Sequence, residues 1–127
     1  MPDRRRETGA FISVRGWLEC DDRQLAAVHE IVRAADDGFY SGGWSFPAPV
    51  NRTRYAFFGA DLRAGEAPWL LDQLRRIAGL PASDADGDPV TGFFLATHEV
   101  EGASQWQIRD GDLYSSPAPE TLRHLGV

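Results

Sequence analysis

Lysine is absent from this 127-residue chain, and cysteine occurs once, at Cys20. No apolar run comes near the roughly 18 residues that a membrane-crossing helix needs, which excludes a helical span. A lone thiol closes no internal disulfide and fits a reducing compartment, so a cytoplasmic location is expected. The 13 basic groups, every one arginine, are outnumbered by 19 carboxylates, leaving a net charge of −6. Nucleic-acid binding draws much of its affinity from clustered basic side chains, so this balance argues against it and is compatible with a basic partner. Residues 1–9 carry positive charge without the apolar segment of a secretory signal, and read as a flexible arm ahead of a single domain over 10–127.

Catalytic signatures are missing as well. There is no Gly-x-Ser-x-Gly elbow and no His-Glu-x-x-His, and Gly42-Gly43 lacks the third glycine and the following helix of a dinucleotide loop. No cofactor is expected. Asp84, Asp86 and Asp88 alternate like the start of a calcium loop, but Pro89 and Leu95 stand where that loop needs glycine and glutamate. A polar turn between helix and strand explains them. His29 and His124 have no ligand-spaced neighbour, and Asn51-Arg52-Thr53 is a glycosylation pattern without meaning in an unsecreted chain.

The chain does hold material for a core: 43% apolar residues with four Trp, seven Phe and three Tyr. Ala10 to Cys20 alternates, with Ile12, Val14, Leu18 and Cys20 on one parity, and predicts a half-buried strand. On that parity Cys20 reads as a buried structural thiol. Asp21 with Gln24 makes a capping box for a helix whose apolar stripe is Leu25, Val28, Ile31, Val32 and Ala35. Gly38 suits its end, near Asp37. A weaker strand runs from Phe39 to Phe46, and another from Arg54 to Gly59 with Tyr55 and Phe57 on one face. Pro68 and Gly79 bracket a second helix with buried Leu70, Leu71, Leu74, Ile77 and Ala78. Thr91 to Val100, apolar on both parities at its start, reads as a central strand. Asp110-Gly111 marks a hairpin between Ser104–Arg109 and Asp112–Ser115. The expected fold is α+β: a ferredoxin-like βαββαβ sandwich with two helices on one face of an antiparallel sheet, plus an extra carboxyl-terminal hairpin strand.

Two sets of residues are candidates for function. Trp17 breaks its strand's pattern by lying on the polar parity with Arg15 and Glu19, so it belongs either to a second layer or to a contact surface. Trp44, Trp69 and Trp106 can line a contact, or cap the core with their indole N–H groups satisfied at its edge. Arg52, Arg54 and Asp61 supply a polar rim, or ordinary surface. Alternatively, Tyr55, His98 and Trp106 would line a pocket between sheet and helices, as in dimeric α/β-barrel enzymes and ligand-binding domains.

Several motifs resemble the immunity protein 7 family of bacterial toxin immunity proteins. They are Gly16-Trp17-Leu18-Glu19, Asn51-Arg52, the helix end Gln73-Leu74-x-x-Ile77-Ala78, Gly92-Phe93-Phe94-Leu95, and acidic Glu99 and Glu101. Trp106-Gln107-Ile108-Arg109-Asp110-Gly111-Asp112-Leu113, Ser116-Pro117 and Pro119-Glu120 complete the series. The family's Asn-His-Arg element has no match, and the loop over 82–89 is longer than its pattern. The resemblance implies a cytosolic protein that binds and neutralises a cognate toxin without catalysis. Its interface would then draw on Trp17, Trp44, Glu99 and Glu101.

Overall fold

The computed structural model describes residues 10–83 and 87–125. The expected arm over 1–9 and two of the loop carboxylates, Asp84 and Asp86, lie outside the described residues. Among the described residues, six strands form one antiparallel sheet: β1 (Phe11–Cys20), β2 (Trp44–Ser45), β3 (Arg54–Arg63), β4 (Thr91–His98), β5 (Gly102–Arg109) and β6 (Asp112–Pro117). Their order is β2-β3-β1-β4-β5-β6. That is one strand more than the four-plus-one expectation, because both arms of the Asp110-Gly111 hairpin join the sheet. Asp110 and Gly111 have φ of 53° and 80°, the left-handed pair a tight two-residue turn demands.

Central β1 pairs along its whole length with β3, from Phe11↔Arg63 to Cys20↔Arg54, and on its other side with β4. The even-numbered side chains of these strands turn to one face, where α1 (Asp22–Ala34) and α2 (Ala67–Ala78) lie. Val14, Leu18, Leu62, Phe94 and Ile108 meet Val28, Leu70, Leu74 and Ile77 in a filled core. Each of these large side chains contributes about 1.5–3 kcal/mol by leaving water.

The predicted capping box is present: Gln24 N–H donates to Asp21 Oδ1 at 2.8 Å, and Asp21 N–H donates to Gln24 Oε1 at 2.9 Å. α1 ends at Ala34, short of the predicted Asp37. Asp36 and Asp37 are the reason, since their carboxylates accept from the amides of Gly38 and Phe39, giving the backbone an alternative to another helical turn. The same competition dissolves most of the strand predicted over 39–46. Asp37 also accepts from the Ser41 amide, and Tyr40–Gly43 forms a 3₁₀ turn, leaving only two residues of β2. A Cβ on Gly43 would stand 2.7 Å from the Gly59 carbonyl oxygen, so the glycine permits a close backbone approach. In the opposite direction, β3 runs four residues past its predicted end at Gly59, to Arg63.

Candidate functional site

Among the described residues, neither α1 nor α2 lies over the second face of the sheet. Strand register assembles there a row that no single segment contains: Phe57 opposite Trp17, Trp17 opposite Phe93. At about 4.8 Å per strand the three aromatics span about 10 Å. Trp17 and Phe93 rings are 5.5 Å apart and tilted, and Phe57 stacks along its own strand with Tyr55 at 6.3 Å. Trp17 remains 41% exposed and Phe57 44%. The adjacent row reads Gly59, Arg15, Leu95, Gln105 and Ser116 across five strands. A Cβ at Gly59 would meet nothing within 4 Å, so this glycine leaves a floor between Phe57 and Asp61.

These two rows bound a groove of about 520 Å³ whose walls include Trp17, Phe57, Phe93, Leu95 and Ser45, with Arg15 as its charged lining residue. Leu125 from a 3₁₀ helix after β6 (Glu120–Leu125) completes it. A second, polar hollow of about 350 Å³ adjoins it, shared by Ser13, Arg15, Gly59 and Asp61. Further along the same face Arg109 lies over the Tyr114 ring at 4.1 Å, a cation–π contact.

Trp17 is therefore on an uncovered face, as its parity indicated, and exposed Asp61 shares that face one row beyond Gly59. Glu99 and Glu101 are exposed in the β4–β5 turn at Asp61's end of the sheet. The other candidates are elsewhere. Trp44 is 8% exposed and packs its ring against Phe58 and Phe46 in the core, so it does not form part of a surface. Arg54 lies seven residues from Asp61 along β3, about 23 Å at roughly 3.3 Å per residue. Its guanidinium reaches Asp22 at 2.6 and 3.2 Å and ties β3 to the first turn of α1. Arg52 is exposed in the loop before β3, at that far end.

Nor does the alternative pocket assemble. Tyr55 faces the open side, Trp106 is buried on the helix side, and His98 ends β4 opposite Ile12. His98 Nδ1 accepts from the amides of Val100 and Glu101 at 3.0 and 3.1 Å, which makes it a turn brace. Cys20 is buried, as expected, and its thiol is pushed up to about 11 by desolvation, with the Asp21 and Asp22 carboxylates adding to the shift against Arg54. A thiol so placed is protonated and inert at neutral pH. Among the described residues no three His, Cys, Asp or Glu side chains are grouped to hold a metal, and no helix is long and apolar enough to cross a membrane.

No family model matches this chain, and no curated protein is significantly similar to it. The reading of the site therefore rests on its own geometry. Sequence reasoning missed Phe93, Leu95, Gly59 and Leu125 as parts of it. Parity had already joined Phe57 to Tyr55, but only register brings Phe57 and Phe93 to either side of Trp17.

Proposed function

We propose that this chain is a non-catalytic binding protein of the immunity type, a cytosolic partner that masks a basic toxin domain, and that it docks through the second face of its sheet. The observation that carries the reading is the half-exposed aromatic row Phe57–Trp17–Phe93, on the face opposite α1 and α2. Large aromatics held rigidly by a sheet and left in water are costly in a free monomer and are the residue types that dominate interface energetics. Asp61, Glu99 and Glu101 lie at one end of that face, where Arg63 also stands, and the net charge of −6 favours the approach of a basic partner. The occupied nitrogen of His98, the inert Cys20 and the filled core support binding over catalysis. The motifs resembling immunity protein 7 support the same reading.

We also read β1-α1-β2-β3-α2-β4 as a ferredoxin-like unit with a two-strand extension, supported by the neighbour order β2-β3-β1-β4. Units of that kind commonly pair their open sheet faces, so one observation, the groove of about 520 Å³, favours a rival: a homodimer enclosing a small ligand there. Light scattering on the purified chain separates the two. A monomer that gains mass only with a protein partner supports the immunity reading, and a ligand-bearing dimer replaces it with the rival.

A further inference from the structure

The chain already places one of its own side chains, Leu125, at the wall of the groove. Three residues complete one turn of a 3₁₀ helix, so Leu122 and Leu125 stand one above the other on a single side. Leu122 is half-buried, whereas Leu125 lines the groove with Trp17 and Leu95 and remains 41% exposed. Glu120 and Arg123, also one turn apart, pair with each other at 3.6 Å in solvent. Leu95, the one aliphatic side chain in its row, is only 5% exposed although it belongs to the face opposite α1 and α2. Yet the segment's backbone is scarcely tied down. The Ala118 amide donates to Ala103 before the turn begins, and the Leu122 amide donates to Pro119 within it. Among the described residues, no backbone bond joins 119–125 to the sheet.

We infer that Glu120–Leu125 is a displaceable internal ligand, and that the element a partner inserts here is one turn of helix presenting an aliphatic side chain. The inference rests on the reading of this face as a docking surface and names what docks. Leu125 at the wall shows which side-chain chemistry the groove accepts. Net acidity governs long-range approach, whereas the groove itself takes an apolar knob. Because no backbone bond among the described residues ties the segment to the sheet, a partner with a better-shaped turn replaces it, and the free chain binds with an affinity reduced by the fraction of time the groove is open.

The test uses the full chain and the anionic dye 1-anilinonaphthalene-8-sulfonate as probe. With the groove open about a tenth to a fifth of the time, Leu122→Ser with Leu125→Ser tightens dye binding about five- to tenfold. Adding Trp17→Ala to that variant reverses the gain. A peptide of residues 117–125 competes with the dye on the double variant, and the same peptide with both leucines replaced by serine does not. Unchanged dye affinity in the double variant overturns the inference. So does a gain that Trp17→Ala leaves intact, which marks general loosening, or equal competition by the serine peptide. Failure of the docking reading is separate: if the dye results hold and no protein partner is retained by the chain, the internal ligand stands and the immunity reading falls.

Discussion

Gln24 offers a sharp test of how the helix layer is held, because a buried amide there does three jobs. Its oxygen accepts from Asp21 N–H at 2.9 Å, while its nitrogen donates to the Asp88 carbonyl at 2.8 Å and, weakly, to the Pro81 carbonyl at 3.4 Å. The residue is 3% exposed. Gln24→Ala removes two well-formed bonds and leaves the Asp21 amide and the Asp88 carbonyl without partners. At about 0.5–1.5 kcal/mol per bond, with a further desolvation cost for orphaned groups, the loss comes to about 2–3 kcal/mol. Gln24→Glu is more telling. It keeps the acceptor for Asp21, but at neutral pH it sets a carboxylate oxygen against two carbonyls. Its folded-state pKa must then rise above the unfolded value of about 4.3. A raised acid pKa means the folded chain holds its proton more tightly, so the variant's deficit is largest above the folded pKa and shrinks as pH falls toward the unfolded one. Urea unfolding followed by circular dichroism, wild type and variants at pH 7 and pH 5, measures this. With a slope of about 1–1.5 kcal/mol per molar, the Ala midpoint falls by about 2 M. A Gln24→Ala chain within about 0.5 kcal/mol of wild type refutes the bonding scheme. A Glu deficit that grows on acidification refutes its electrostatics.

Gly16→Ala places a methyl 2.1 Å from the Phe93 carbonyl oxygen and 2.6 Å from Phe94 Cα. It should cost about 3 kcal/mol or more, whereas Gly59→Ala, into open space, costs under about 0.5, and thermal melts compare the two directly. Cys20 should resist iodoacetamide in the folded chain at pH 8 and react on unfolding. Because burial raises its pKa from 9.0 to about 11, the thiol's contribution to stability is intact below pH 9 and declines as pH climbs through that window. Early labelling of native protein would contradict the burial argument. Trp44 Nε1 is buried without a partner, while Trp69 Nε1 donates to the Ala35 carbonyl at 2.8 Å. Trp69→Phe should therefore lower the melting midpoint more than Trp44→Phe does.

Local chemistry made much of this fold legible. Alternation in β1, the Asp21–Gln24 box, the Pro68 and Gly79 brackets and the Asp110-Gly111 turn all act within a few residues, and each did what its chemistry requires. Errors arose where local options compete. Asp36 and Asp37 could continue a helix or cap a loop, and their bonds to Gly38 and Phe39 decided for the loop. The capping role of Gln24 was legible but its burial was not, because the Pro81 and Asp88 carbonyls that accept from its amide lie 57 and 64 residues away. Of the candidate site, Trp17 was legible because an aromatic on a wet parity is an anomaly visible in one strand. Its neighbours Phe57 and Phe93 come from positions 40 and 76 residues away, and only pairing register sets them beside it. Trp44 misled because indole bulk suits a core as well as a surface.

Co-purification from the native organism tests the central claim most directly, run with the wild-type chain, Trp17→Ala and, as a control on the solvent side of α2, Arg76→Ala. The account predicts a stoichiometric basic protein retained by wild type and by Arg76→Ala and lost with Trp17→Ala. A partner held equally by all three, or a wild-type chain that returns only a small ligand or its own dimer, would contradict it.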